Sequence, residues 1–217
     1  MAGIVKSWPR NLTATQSYML IRHAETRTNS RARWHGESDE QISPHGATQA
    51  AAAARRLARM AEQPSLIVSS RLRRAIETAE IFAEELSITQ IHHDESLGER
   101  DMGDWKGLAP HEVESEWPGL LSEWEAGHIQ GPPNGEPDSV VTERALAALT
   151  RFAGFASKPI LVVTHGGVIR SLRKAAGLTN HPVPHLGGYW AHIGCVDGEW
   201  SLDGQIVLGD TNDRPRT

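Results

Sequence analysis

The chain has 217 residues, one cysteine and a formal net charge of -5 with a pI near 6.1. That length suits one domain able to bury a core of its own, and a lone cysteine excludes an intramolecular disulfide or a cysteine-rich zinc motif. The acidic balance argues against a general nucleic-acid binder, and no run is apolar for long enough to be a signal peptide or to cross a bilayer. Cytoplasmic residence without a membrane partner is the expectation.

Residues 1–16 show no period and read as an arm, a candidate contact in a homodimer; 17–209 read as the single domain and 210–217 as a tail. YMLIRHAE (18–25) is a short apolar strand that ends abruptly in charge, followed by a polar loop over 26–45. GATQAAAAARRLARMAEQ (46–63) is a strong helix former with Pro64 after its end. SLIVSS (65–70) predicts a second strand, 71–87 a helix with Leu72, Ala75, Ile76, Ala79, Phe82 and Ala83 on one face, and 88–95 a short strand. The stretch from Gly98 to Pro137 is mixed, with a helix expected around 110–126 and a loop at GPPNGEP. Helical spacing returns over 139–157, PILVVTH (159–165) is a buried strand, and 166–177 is a helix that Gly177 stops. YWAHIGCVDGEWSLDG suggests a hairpin that turns at Asp197-Gly198. Alternating strands and helices predict a mostly parallel sheet covered on both faces, which binds ligands beyond the carboxyl ends of its strands.

Three of those strand ends carry reactive or cationic residues: Arg22 and His23, then Arg71, Arg73 and Arg74, then His165 with Gly166 and Gly167. The segment DESLGERD adds the candidate proton donors Glu95, Glu99 and Asp101. Two imidazoles and several guanidiniums, without an evident carboxylate set for a metal, suit phosphoryl chemistry. A neutral imidazole can attack phosphorus and split the reaction through a covalent intermediate, and guanidiniums fork onto phosphoryl oxygens. The two glycines remove side-chain bulk where a helix begins, so that backbone N–H groups can face an anion. A carboxylic acid can protonate the departing alkoxide and later activate water.

Four blocks occur in one order: LIRHAETRTN (20–29), SSRLRRAIETA (69–79), LGERDMGDWKG (97–107) and VVTHGG (162–167). Together they resemble the signature of the histidine phosphatase superfamily, in its phosphoglycerate mutase-like branch, from about residue 18 to about 205. The resemblance implies an α/β fold, a three-layer α/β/α sandwich on a mostly parallel central sheet. It implies His23 as phosphate acceptor, Arg22, Arg74 and His165 around the phosphoryl group, and Glu99 as proton donor. Asn29 matches the polar residue that closes E-T-x-x-N. No metal site and no cofactor is implied, and the partner is a small phosphorylated metabolite. Ala24 stands where the family usually has glycine, which would cost about 1 kcal/mol if that position required a positive φ.

Mutases of that branch carry a long basic insertion after the L-x-E block, and the modest segment between Glu99 and Ser139 lacks it. Phosphatase is therefore the expected activity, with a primer-dependent mutase or a non-catalytic binder of phosphorylated ligands as the alternatives. Arg22, Arg27, Arg31 and Arg33 make either a solvated loop or an electropositive rim, on which Trp34 would stack an organic moiety of the substrate. Arg71 and Arg73 read as solvated or paired with helix carboxylates. His92, His93, His181 and His185 read as structural, and Ser69-Ser70, outside any G-x-S-x-G elbow, as bonding phosphate or backbone. Trp117 and Trp124, seven apart, suit one packed helix face.

Overall fold

Strand β1, Thr15–Arg22, alternates its side chains between two separate cores, and this fixes the architecture. Tyr18 and Leu20 point into one apolar cluster, Met19 and Ile21 into the other, and all four are at most 1% exposed. A strand buried on both faces reads as a continuous apolar run, as both β1 and β4 (Ile160–Thr164) do. The computed structural model describes residues 15–27, 33–34, 36, 38–179, 181–194 and 199–209. Among them, β1, β2 (Leu66–Ser69), β3 (Ile91–His93), β4, β5 (Gly187–Gly194) and β6 (Trp200–Val207) form one sheet in the order β3-β2-β4-β1-β5-β6. β1, β4, β2 and β3 run parallel, while β5 is antiparallel to both β1 and β6.

On one face lie α1 (Pro44–Leu57) and α2 (Arg73–Leu86), which bury Ala50, Ala53, Ala54, Ala75, Ala79 and Phe82. On the other lie α5 (Asp138–Phe152) and α6 (Gly166–Ala175), which bury Val141, Ala145, Leu149, Ile169 and Leu172. The expected three-layer sandwich is thus the observed fold. A third, smaller cluster of Met102, Trp105, Val113 and Trp124 forms beside the sheet, with Trp34 packed against it.

Most boundaries fall within a turn of expectation, but α1 stops at Leu57 rather than at 63 and α5 at Phe152 rather than at 157. α1 begins at Pro44 because Ser43 caps it, its hydroxyl accepting from Gly46 N at 2.9 Å, and ends at Leu57, the last residue of its buried face. Gly46 is required there: a Cβ would collide with the Glu25 carbonyl oxygen. Gly177, at φ +72, closes α6 as expected.

The helix expected around 110–126 is two helices, α3 (Pro110–Glu116) and α4 (Leu120–Glu125). Pro118 cannot donate to the helix ladder, and Gly119 takes φ +78, so the chain turns between them. Trp117 and Trp124 consequently do not share a helix face; they meet in one cluster because the two helices fold against each other. The hairpin exists as β5 and β6, but its Asp197-Gly198 turn lies outside the described residues, as do Asn29, Arg31, residues 1–14 of the arm and the 210–217 tail.

Candidate active site

The register of the parallel strands brings the site together. Arg22 pairs with Thr164 and Ser69 with Val163, so the next residues of each strand, His23, His165 and Ser70, leave the same sheet edge side by side. Backbone bonds hold the junction, with His23 N donating to Thr164 O at 2.9 Å and Ser70 N to Val163 O at 3.0 Å.

His23 is 2% exposed. Its Nδ1 lies 2.7 Å from the Ala24 carbonyl oxygen, which can only accept, so Nδ1 carries the ring proton and Nε2 keeps its lone pair. Arg74 Nε donates to that Nε2 at 3.2 Å. Burial, foremost, and then the positive charge of Arg74, with His165, Arg22 and His185 adding to it, hold the His23 pKa well below the ordinary imidazole value. The result is a neutral imidazole with one nitrogen directed into a cationic cavity.

Arg74 comes from the first turn of α2 and is aimed by two carbonyls, those of Ser38 and, at 3.0 Å, Gly36. Burial lowers its pKa, against the opposing pull of Glu99, Glu40 and Asp39. Arg22 is tethered from the other side by the Val183 carbonyl at 2.8 Å. His165, fully buried, sits with its ring centroid 5.1 Å from that of His23 and its Nε2 2.8 Å from Ser70 Oγ. Glu99 closes the far side, its Oε1 accepting from Arg100 N at 2.8 Å and its Oε2 from Gly167 N at 3.3 Å.

Arg22, His23, Trp34, Arg74, Glu99 and Gly166 all line one cavity of about 150 Å³. His165 stands beside His23 at the same sheet edge, its ring tilted 58° to that of His23. Glu95 and Asp101 stand outside that cavity, so Glu99 is the carboxylate of its segment that faces His23. Arg71 pairs with Glu95 at 3.8 Å and Arg73 with Glu77 at 3.0 Å, both at the surface. Trp34 stacks on Trp105 with centroids 5.6 Å apart, and Arg33 beside it forks onto Glu112 at 2.7 and 2.8 Å. Ala24 is absent from the non-glycine residues with positive φ among those described, and its methyl packs in the core. Alanine at this position carries no backbone penalty.

Several residues of the site escape a reading by motif. His185 sits against His23, Nδ1 to His23 O at 3.0 Å with ring centroids 5.6 Å apart. Ser70 engages His165, and Trp124, Arg170 and Lys174 line the cavity. A signal for two of these was present: Arg170 and Lys174 follow Gly166 at intervals of four, the spacing of one helix face. Behind them Arg100, 1% exposed, bonds to Asp138 and Ser171, and Lys174 Nζ meets the other oxygen of Asp138 at 2.6 Å. Burial pushes the Asp138 carboxyl up, but Lys174 and Arg100 outweigh it and hold the pKa below the ordinary value.

An α/β/α sandwich that presents a buried histidine, two arginines and a carboxylate at the carboxyl edge of its sheet defines a class. Residues 18–197 match the histidine phosphatase superfamily (branch 1), and the chain belongs to that family. It is 35% identical over 179 residues to a glucosyl-3-phosphoglycerate phosphatase of Mycolicibacterium vanbaalenii, covering 78% of each chain. It is 31% identical over 157 residues to a metal-independent phosphoserine phosphatase of Arabidopsis thaliana, covering 71% of this chain and 66% of that one. Among solved structures it is similar to a native mycobacterial glucosyl-3-phosphoglycerate phosphatase, at a TM-score of 0.74 and 27% identity over 90% of this chain and all of the other. No helix among the described residues is long and apolar enough to cross a membrane.

Proposed function

We propose that this enzyme hydrolyses a small phosphomonoester by passing its phosphoryl group through His23. The observation that carries the reading is the Nδ1–Ala24 carbonyl bond, which leaves Nε2 of a neutral, buried imidazole as the attacking atom. The phosphatases among its relatives support hydrolysis as the outcome.

The substrate phosphate docks between Arg22 and Arg74, with the N-terminal amides of α6 at Gly166 and Gly167 supplying further donors. Asn29 and His165 are further contacts of the phosphoryl group by their place in the motif blocks. His23 Nε2 attacks phosphorus in line as the ester P–O bond breaks, and Glu99, entering protonated, gives its proton to the leaving alkoxide. The N–P bond of the phosphohistidine then breaks in turn. Glu99, now a carboxylate, takes a proton from the attacking water, and inorganic phosphate departs with the starting enzyme restored. The fixed guanidiniums meet charge that spreads over the equatorial oxygens, so positioning and electrostatics supply most of the acceleration. Trp34, on the cavity wall, meets the organic part of the substrate.

Phosphate release from a panel of phosphomonoesters, measured in excess chelator with wild type and His23→Ala, tests this reading. Release that resists chelator and disappears in the variant is the expected result, with a phosphohistidine trapped on rapid quenching. Undiminished release by His23→Ala would overturn it. Isomerisation that depends on a bisphosphorylated primer, with little hydrolysis, would replace it by a mutase.

A further inference from the structure

The chain that leaves α6 and enters β5 returns repeatedly to the reacting end of β1. Val183 O accepts from Arg22 Nη1 at 2.8 Å, Leu186 N donates to Arg22 O at 2.9 Å, and His185 Nδ1 meets His23 O at 3.0 Å. A carbonyl oxygen can only accept, so the His185 nitrogen is the donor there. Both the side chain and the backbone of Arg22 are therefore held by this connection, and Pro182 and Val183 carry it along the cavity wall.

The connection is poorly equipped to hold itself. Pro182 and Pro184 have no N–H to give to a backbone ladder. Leu186 takes φ +58, in the left-handed region that a leucine seldom adopts and that persists where the surroundings over-determine it. What fixes the connection from the other side is Arg173, in the last turn of α6 and 3% exposed. Its guanidinium donates to the carbonyls of Thr179 and, at 3.0 Å, His181, and its carbon lies 4.6 Å from the Tyr189 ring centroid on β5. One planar group thus ties the connection to α6 on one side and to β5 on the other. Arg173 itself is not among the residues that line the cavity.

We infer that Arg173 is a positioning residue for phosphoryl transfer: by fixing the α6–β5 connection it sets the Val183 carbonyl that aims the Arg22 guanidinium at the phosphate. This rests on the hydrolase reading above and extends it to a side chain that touches no substrate. An Arg22 released from Val183 keeps its charge and loses its direction, so the cost falls on the bound phosphoryl group and not on the fold alone.

The test measures kcat/KM for p-nitrophenyl phosphate, and the affinity for inorganic phosphate by calorimetry, in wild type, Arg173→Gln and Arg173→Lys, each checked by a denaturant melt. Arg173→Gln should lower kcat/KM by roughly 10- to 100-fold, the cost of a misplacement of about 1 Å, and weaken phosphate binding with it. Arg173→Lys, whose ammonium serves one carbonyl but not a planar pair, should keep part of each, and is the variant to read if the glutamine does not fold. The same Arg173→Gln change made in Arg22→Ala should cost far less than in wild type, since Arg22 is the group through which it acts. Folded variants with wild-type kcat/KM and phosphate affinity, or the same factor lost with and without Arg22, would make Arg173 purely structural and overturn the inference while the hydrolase stands. No release from any ester by wild type would overturn the hydrolase, and a phosphate affinity unchanged in both Arg173 variants would then overturn the inference with it.

Discussion

Gly167 and Glu99 occupy adjoining space: the amide of the glycine donates to the carboxylate at 3.3 Å, and a Cβ on Gly167 would overlap Glu99 Oε1. Gly166 differs, since a Cβ there would meet Arg22 Nε only at 3.5 Å, an ordinary contact. Gly167→Ala should therefore push the carboxylate out of place and lower kcat well beyond the effect of Gly166→Ala. Steady-state kinetics on the two variants decides it, and equal effects would show that Glu99 tolerates the displacement.

Glu99→Gln keeps the shape of the side chain and removes its acid. If Glu99 protonates the leaving oxygen, alkyl phosphates should slow by about 10²- to 10⁴-fold while aryl phosphates, with good leaving groups, slow far less. A leaving-group series measured on both enzymes checks this. The same loss on both ester types would take Glu99 out of the acid role.

The low pKa of His23 has a sign that can be measured. Folded, its imidazole stays neutral below about 6.5, where the unfolded chain's histidine gains a proton. Native stability associated with this residue is thus fully present above about 6.5 and declines as the pH falls towards the lower folded value. An NMR titration of the His23 ring should place its midpoint below that of an ordinary histidine, and the acid limb of kcat/KM assigned to it should lie there too. A midpoint at or above 6.5 would contradict the buried, cation-flanked environment.

Ser70→Ala removes the hydroxyl that meets His165 Nε2 at 2.8 Å and accepts from Leu72 N at 3.2 Å. Leaving those buried groups without it should cost about 1–3 kcal/mol of stability. Ring freedom at His165 should also lower kcat. Denaturant melts and kinetics on the same preparation separate the two, and a variant with wild-type values in both would show that the serine does not hold His165.

Asp138→Ala would leave Arg100, 1% exposed, and Lys174 facing each other without their shared carboxylate. Breaking such a buried pair should destabilise the fold by about 3–5 kcal/mol. The same sign appears in pH: the Asp138 carboxyl titrates below its ordinary value in the fold, so its contribution is present above that value and lost as pH falls through the lower one. Chemical denaturation at neutral pH measures the first effect, and a loss under 1 kcal/mol would mean that water replaces the carboxylate.

Legibility in the sequence followed what local chemistry enforces. The apolar runs of β1 and β4 declare strands buried on both faces, the alanine tract of α1 a helix that packs closely, and Gly177 a helix end. The motif blocks mark His23, Arg22, Arg74, Glu99 and His165, because each must leave a strand or helix end at a fixed offset. The split of α3 from α4 is written in Pro118 and Gly119, whereas the seven-residue spacing of Trp117 and Trp124 suits one continuous helix face.

What the chain by itself determines is therefore a doubly covered parallel sheet with charged residues at its strand ends. Only the tertiary structure decides which of those residues meet. The register of β1, β4 and β2 sets His23, His165 and Ser70 side by side, and the Ala24 carbonyl selects the tautomer of His23. His185, 162 residues away in sequence, reaches the His23 carbonyl only because β5 pairs with β1. Trp124 and Arg170 meet across the cavity from different elements. Such contacts depend on how distant segments pack, and neither propensity nor periodicity carries that information.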